Sequence, residues 1–274
     1  MAHISVIQWT SGKDPQQNLE QFRTLVQLLP KERPQLVVVP EAFASFGAGE
    51  SSQQERAELP GEGPIQQAVA EIAEQHDLWI VAGTIPIQAG DRYSSASILF
   101  DNQGQQVARY DKIHLFDAMV EDGTKNYQES KYTQPGTQLT VVETPFGRLG
   151  MAVCYDLRFP ELFRALREEG AEVIVLPSAF TKVTGKAHWQ PLLQARAIEN
   201  QCYMVAPNQG GTHPDGRETW GHSMVINPWG QVCTEISSDI GVGSVPLELS
   251  SISDVRRRMP VESHNQFKVA FKHA

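Results

Sequence analysis

The stretch that decides the predicted fold is RLGMAVCYDLRFPE, residues 148–161. Its first part alternates apolar and small residues up to Val153, a pattern typical of a short buried strand. Pro160 stands where the first turn of a helix would begin. Cys154 is therefore predicted to lie where a strand passes into a helix, exposed at the sheet edge beside backbone N–H groups. A thiol in that place is a candidate nucleophile, and a small buried core residue is the alternative.

Outward from this stretch, the chain alternates strand-like and helix-like segments. Strands are predicted at 3–9, 36–39, 78–85, 95–100, 107–111, 139–143, 149–153, 172–176, 202–206, 222–226, 231–236 and 242–249. Helices are predicted to begin at Pro15 and Pro64 and to cover 160–169 and 188–199, whereas 47–61 and 114–136 are predicted to be polar loops. Both halves run strand–helix–strand–helix before a run of strands. This order predicts one domain over residues 1–274, an α/β fold of two sheets with helices on the outer faces.

The composition argues against several classes of function. The 274 residues are 41% hydrophobic and 20% charged, as in an ordinary globular protein, and the net charge of −9 argues against a nucleic-acid partner. Three cysteines are too few and odd in number for a disulfide framework, so we expect a reducing compartment and assign Cys202 and Cys233 to core packing. No apolar stretch reaches membrane-spanning length and no signal-peptide pattern is present, so we expect a cytoplasmic protein without a membrane partner.

Three polar residues follow predicted strands and could carry chemistry. They are Glu41 in VVVPEAF, Lys112 in RYDKIHLFD, and Cys154. Ligand sites in α/β proteins gather at the carboxyl ends of strands, so these side chains are expected to meet. A base, a cation and a nucleophile are the parts that acyl transfer at a C–N bond requires. The cation would also depress the thiol pKa, so an enzyme should show a fast, low-pKa Cys154. A cap or ion pair for Glu41, and pairing of Lys112 with Asp111 or Asp117, remain the alternatives.

The residues around these positions resemble the three catalytic motifs of the nitrilase superfamily of carbon–nitrogen hydrolases, in the same order. The resemblance extends to LPSAF at 176–180, AHW at 187–189, ARAIENQCYMVAPNQ at 195–209 and GHSMVINPWG at 221–230. It implies a four-layer α–β–β–α sandwich and a homodimer packed through outer helices, here those predicted at 160–169 and 188–199. It also implies a catalytic triad of Glu41, Lys112 and Cys154, with a second glutamate at Glu129.

The resemblance also implies a mechanism. Glu41 takes the thiol proton and Cys154 attacks an amide carbonyl, while Lys112 and the backbone N–H of Tyr155 hold the oxyanion. Ammonia leaves, protonated through Glu41 or Glu129. Water activated by Glu41 then hydrolyses the thioester. No metal or organic cofactor is expected.

Within the superfamily, the chain resembles the small amidases that act on carboxylate-bearing amides. The stretch QCYMVAPNQGGTHPDGRETWGHSM, with Gln209, His213 and Arg217, is similar to the deaminated glutathione amidases, which implies deaminated glutathione as the substrate. HLFD followed by QESK also occurs in omega-amidases, which act on alpha-ketoglutaramate or alpha-ketosuccinamate, and the loop 118–127 fits neither group closely. The alternative of another class is a non-catalytic binding or scaffold protein on the same fold.

The substrate carboxylate should be held by a cation other than the catalytic lysine. Lys182 follows a predicted strand whose carboxyl end should face the pocket, so Phe180, Thr181 and Lys182 are predicted to contact substrate. Arg158 is expected to pair with Asp156 or with the glutamate at 161 instead.

Other types of site fit the sequence less well. A papain-like site needs a partner histidine, and neither His188 nor His222 lies in a matching motif. The eight histidines form neither H-E-x-x-H nor a Cys–His cluster, so no metal site is predicted. Gly185-Lys186 resembles the end of a phosphate-binding loop, but Phe180 occupies the place of the leading glycine.

Overall fold

Strands and helices alternate through most of the computed structural model, which describes residues 1–124, 126–268 and 270–271. The strands are β1 (His3–Gln8), β2 (Gln35–Val38), β3 (Trp79–Ala89), β4 (Arg92–Phe100), β5 (Gln106–Asp111), β6 (Asp117–Met119), β7 (Asn126–Gln128), β8 (Val141–Thr144), β9 (Gly147–Met151), β10 (Val173–Val175), β11 (Tyr203–Ala206), β12 (Gly210–Thr212), β13 (Glu218–Trp220), β14 (Ser223–Ile226), β15 (Val232–Ile236) and β16 (Gly241–Pro246). The helices are α1 (Pro15–Val26), α2 (Glu50–Glu55), α3 (Pro64–His76), α4 (Pro160–Glu168), α5 (Lys182–Asn200), α6 (Leu249–Arg258) and α7 (Val261–His264). Short 3₁₀ helices occupy Glu129–Lys131 and Cys154–Arg158.

Two six-stranded sheets form the centre of the fold. In the first sheet β1, β2 and β3 are parallel, with antiparallel β16 on one side and β4 and β5 on the other. In the second sheet β9, β10 and β11 are parallel, with antiparallel β8 on one side and β14 and β15 on the other. Each sheet therefore has a parallel centre.

Three apolar cores separate four layers. The inward faces of the two sheets pack against each other through Val6, Val38, Met151 and Val205, all fully buried. A second core joins α1 and α3 to the outer face of the first sheet, and a third joins α4 and α5 to the outer face of the second. The central strands are covered on both sides, which is why they read as continuous apolar runs. The predicted α–β–β–α sandwich is confirmed.

Helix α5 is longer than the sequence indicated. The prediction placed its start at residue 188, but it begins at Lys182, with the Thr181 side chain accepting a hydrogen bond from the N–H of Thr184. The helix contains a glycine at position 185 because this side of the helix packs directly against Trp220 and leaves no room for a side chain. A Cβ there would come within 2.3 Å of the Cβ of Trp220. A glycine and the internal Pro191 are helix-breaking signals, which hid the first turns from a reading by propensity.

Several short elements were missed because their sequences are polar and lack a clear period. The segments 47–61 and 114–136 were predicted as loops, but they contain α2 and the β6–β7 hairpin. The strand predicted to end at residue 249 ends at Pro246, and α6 starts at Leu249. The β12–β13 hairpin was not predicted.

The assignment of two cysteines to the core is half right. Cys202 is fully buried, as predicted. Cys233 is exposed, and the prediction for it was wrong because β15 is an edge strand whose side chains are only partly covered. In the described ranges, no helix is long and apolar enough to cross a membrane.

Candidate active site

The predicted site residues follow the ends of three strands. Glu41 comes shortly after β2, Lys112 directly after β5 and Cys154 shortly after β9. The chain before Glu41 crosses β3 very closely, since a Cβ on Gly83 would lie 1.8 Å from the carbonyl oxygen of Pro40. Only glycine permits this approach. The three side chains line one cavity of about 130 Å³, called here the main cavity.

A buried ammonium lies at the base of the main cavity between two carboxylates. Lys112 Nζ is 2.7 Å from Glu41 Oε1 and 2.9 Å from Glu129 Oε2, and only 2% of the Lys112 surface is exposed. A third contact of 3.1 Å reaches Glu129 Oε1. Glu129 also accepts a 2.6 Å hydrogen bond from the backbone N–H of Phe116. The donors of the ammonium are therefore directed at these two side chains.

The charges of the site stabilise one another. Burial lowers the pKa of Lys112, but the charges of Glu129 and Glu41 outweigh it and hold this pKa well above its ordinary value. Burial raises the pKa of Glu129, and the charge of Glu41 adds to this effect while Lys112 opposes it. The lysine is thus a fixed cation in a place from which water is excluded, where a charge acts most strongly on a reacting group.

Cys154 adopts an uncommon backbone conformation at the start of a 3₁₀ helix. Its φ is +46°, and its N–H donates to the carbonyl oxygen of Pro177 at 2.9 Å. Burial and the neighbouring Glu41 carboxylate raise the pKa of the thiol well above its ordinary value, and Lys112 lowers it only in part. The expectation of a low-pKa thiol was wrong, because burial and a nearby carboxylate outweigh the cation. A base is needed to remove the proton.

A fully buried carboxylate, Asp156, connects the turn at Cys154 to β5, the strand directly before Lys112. Its Oδ2 accepts from the Tyr110 hydroxyl and from the N–H of Val153, both at 2.8 Å. Its Oδ1 lies 3.1 Å from the backbone N and 2.6 Å from the Nδ1 of His114. Sequence reasoning missed this network. The available signal was an aspartate two residues after Cys154, directly behind a strand predicted to be buried.

The three residues predicted to contact substrate lie in different places. Thr181 lines the main cavity. Phe180 lines a smaller opening next to the main cavity, called here the side cleft, which Cys154, Tyr155 and Arg158 also line. Lys182 lines neither, and its Nζ is 2.7 Å from Glu218 Oε1 at the surface.

The expected pairing of Arg158 with Asp156 or the glutamate at 161 was wrong. The guanidinium carbon of Arg158 lies 5.4 Å from the ring centroid of Phe180, and its Nη1 is 3.2 Å from His188 Nδ1. Asp156 is unavailable because the network described above already uses both of its oxygens. No group of three or more His, Cys, Asp or Glu side chains suited to a metal ion occurs among the residues that the structure describes.

Residues 3–257 match the family described as carbon-nitrogen hydrolase. The chain belongs to this family. A deaminated glutathione amidase from Yersinia enterocolitica is 45% identical over 97% of this chain and 93% of the relative. This relative of the carbon–nitrogen hydrolase therefore matches it over almost its whole length.

Solved structures agree with the family assignment. The Caenorhabditis elegans NitFhit protein is 35% identical with a TM-score of 0.89, over 96% of this chain and 65% of that one. An amidase from Nesterenkonia sp. AN1 is 25% identical with a TM-score of 0.79, over 96% of this chain and 100% of that one. That structure is of a mutant of the amidase, in which acrylamide has added to the active-site cysteine by Michael addition.

Proposed function

We propose that this carbon–nitrogen hydrolase is an amidase of deaminated glutathione that uses Cys154 as its nucleophile. The observation that carries the proposal is the ammonium of Lys112, held between Glu41 and Glu129 in one cavity with the half-buried thiol of Cys154. The relative from Yersinia enterocolitica, by its name a deaminated glutathione amidase, supports this substrate.

The first half of the reaction forms a thioester. Glu41 accepts the proton of Cys154, because a thiol with a raised pKa does not ionise unaided. The sulfur attacks the amide carbonyl, and Lys112 stabilises the oxyanion together with the backbone N–H of Tyr155. The N–H of Cys154 is already donated to Pro177, which leaves the next N–H of the turn for this role. One such donor is typically worth about 3 kcal/mol in the transition state.

The second half releases both products and restores the thiol. Glu41 returns the proton to the leaving nitrogen as the C–N bond breaks. It then takes a proton from water, whose oxygen attacks the thioester, and the sulfur leaves as the proton returns to it. Glu129 keeps the ammonium of Lys112 in place throughout.

The leaving group of this substrate is an amine. Deaminated glutathione is glutathione with a keto group in place of the glutamyl amino group, so it contains no primary amide. Cleavage of the amide between the keto acid and the cysteine nitrogen gives 2-oxoglutarate and cysteinylglycine. The release of ammonia, expected from the resemblance, applies only to primary amides such as alpha-ketoglutaramate.

Further features complete the proposal. Thr181 contacts substrate from the main cavity and Phe180 from the side cleft. Lys182 forms an ion pair with Glu218, which lines the main cavity, and so influences substrate binding indirectly. The single domain 1–274 functions in the cytoplasm as a homodimer packed through the outer helices α4 and α5. No metal or organic cofactor enters any step above.

Two substrates separate the proposal from its alternatives. The purified protein is incubated with deaminated glutathione, with detection of cysteinylglycine, and with alpha-ketoglutaramate, with detection of ammonia. We expect kcat/KM to be higher for deaminated glutathione. The reverse order would favour the omega-amidase, and no turnover of either would favour a binding protein.

The nucleophile is tested in the same assay. Cys154→Ala should abolish both activities and leave the urea midpoint close to that of the parent, because one small side chain replaces another at a half-buried position. Activity within about tenfold of the parent, a loss of only about 1.4 kcal/mol in barrier, would contradict a thiol mechanism.

A further inference from the structure

The main cavity contains a second cation that the mechanism does not use. Arg217 lines the cavity with Lys112, and 18% of its side chain is exposed. It lies at the tip of the β12–β13 hairpin, directly before β13. Lys112 is held by Glu41 and Glu129 and faces the oxyanion in the proposed mechanism, so the substrate carboxylate needs a different cation.

The guanidinium of Arg217 is fixed in place before any ligand binds. Its Nε donates to Asp215 Oδ2 at 2.7 Å, and its backbone N–H donates to Asp215 Oδ1 at 3.1 Å. Its guanidinium carbon lies 4.3 Å from the ring centroid of Phe46. Phe46 in turn packs on the buried ring of His213, whose Nε2 is 2.7 Å from Thr219 Oγ1. An arginine held this way loses little conformational freedom on binding.

The two terminal nitrogens of Arg217 are the open part of this group. Across the described part of the chain, no residue accepts a hydrogen bond from Nη1 or Nη2. The other acidic side chain nearby, Glu218, is paired with Lys182. A planar pair of donors aimed into a cavity is the arrangement that binds a carboxylate through two parallel hydrogen bonds.

The position of Arg217 relative to the base indicates which end of the substrate it meets. The chain runs from Glu41 through a short turn to Phe46, on which Arg217 rests. Glu41 and Arg217 both line the main cavity, whereas neither lines the side cleft. Glu41 protonates the leaving nitrogen in the proposed mechanism, so the leaving group extends along the side where Arg217 lies.

We infer that Arg217, supported by Phe46 and Asp215, binds the carboxylate at the end of the leaving group, which in deaminated glutathione is the glycine carboxylate. This inference rests on the proposed function and adds a specificity residue to it. It explains how the enzyme prefers an amide with a long, carboxylate-ended leaving group over a primary amide. Its contact is the same in the ground state and the transition state, so its loss raises KM and leaves kcat nearly unchanged.

Three substrates and one substitution test the inference. Arg217→Gln is assayed on deaminated glutathione, on its C-terminal amide, and on alpha-ketoglutaramate. We expect kcat/KM for deaminated glutathione to fall about 30-fold through KM, as for loss of a charge-assisted hydrogen bond. The other two substrates lack the leaving-group carboxylate and should change less than about threefold. Arg217→Lys should recover part of the loss because it keeps the charge without the planar fork.

The controls separate failure of the inference from failure of the proposed function. Arg257→Gln removes an exposed arginine of α6 and should leave all three activities unchanged. Hydrolysis of deaminated glutathione by the parent tests the proposed function by itself. If the parent acts on it and Arg217→Gln affects the three substrates equally or not at all, the inference alone is overturned. If the parent acts only on alpha-ketoglutaramate, both fail.

Discussion

At the residue scale, the chemistry of the site depends on whether the proton lies on Cys154 or on Glu41. Cys154 and Glu41 cannot both be negative without cost, because they lie close together in a buried place with one shared cation, Lys112. The thiol therefore holds its proton in the resting enzyme. In the proposed mechanism Glu41 is therefore the base, and Cys154 ionises only when substrate is present to receive its electrons.

Alkylation of Cys154 by iodoacetamide should rise steadily with pH. A raised thiol pKa means that the thiolate fraction grows about tenfold per pH unit, without a plateau at the usual thiol pKa of about 8.5. Glu41→Gln removes the nearby negative charge and should make the thiol react faster at pH 8. Peptide mapping follows each cysteine separately, with the exposed Cys233 as an internal reference. A plateau for Cys154 below pH 8 would contradict the raised pKa.

Glu129→Gln should reduce kcat strongly while leaving the thiol reactive. The carboxylate of Glu129 contacts the ammonium of Lys112 and the N–H of Phe116, so a neutral amide would loosen both. We expect a loss of about 100-fold in kcat, the size seen when an oxyanion donor is misplaced. Cys154 should still react with iodoacetamide. Unchanged turnover would show that Glu129 has no part in catalysis.

At the scale of elements, the site depends on a fixed position of β5 relative to the turn at Cys154. These segments belong to different sheets, and Asp156 joins them by accepting from groups on both sides. The stacked rings of His114 and Phe159, 3.7 Å apart, reinforce the same junction. Lys112 and Cys154 are thereby held at a constant separation.

Asp156→Asn should destabilise the protein more than Tyr110→Phe. An asparagine has only one acceptor oxygen. Its amide NH₂ would take the place of a carboxylate oxygen that now accepts two hydrogen bonds, and would face their donors. Unsatisfied buried donors predict a loss of about 3 kcal/mol in the free energy of unfolding, against about 1 kcal/mol for loss of the tyrosine hydroxyl alone. Urea unfolding measures both. Equal losses would show that the carboxylate is not the centre of the network.

At the scale of the whole molecule, several buried groups bind their protons more tightly in the folded state. Burial is the first cause in each acid, and it raises the pKa of Tyr110, Cys154, Cys202 (to about 11) and Tyr127 (to about 12). In the unfolded chain these groups ionise at their ordinary pKa values of roughly 8.5 to 10. As pH rises past about 8.5 the folded state holds more protons than the unfolded state, so stability falls until each folded-state pKa is reached.

Urea unfolding at pH 7 and pH 10 should show this loss, and Cys202→Ala should reduce it. Removing the Cys202 thiol costs stability at both pH values because it leaves a cavity. It also removes one group with a raised pKa, whose contribution to the fall by pH 10 is on the order of 2 kcal/mol. The variant should therefore lose less stability than the parent between the two pH values. An equal loss in both proteins would rule out Cys202 as a contributor.

The sequence alone determined the layered fold and the place of the candidate site within it. Apolar periodicity identifies the central strands, and ligand sites in α/β proteins gather at the carboxyl ends of strands, so Glu41, Lys112 and Cys154 were expected to meet. Glu129 was found only through the resemblance to known enzymes. Its own segment is polar and carries no local signal.

Only the tertiary structure decided how the polar groups pair and what charge they carry. The protonated thiol, the four-donor environment of Asp156 and the direction of Arg158 depend on neighbours far away in the chain. The open donors of Arg217 depend on a hairpin that the sequence did not reveal. Local patterns report which face of an element is buried. They do not report which partners from other elements lie opposite it, and burial together with those partners sets each pKa and each hydrogen bond.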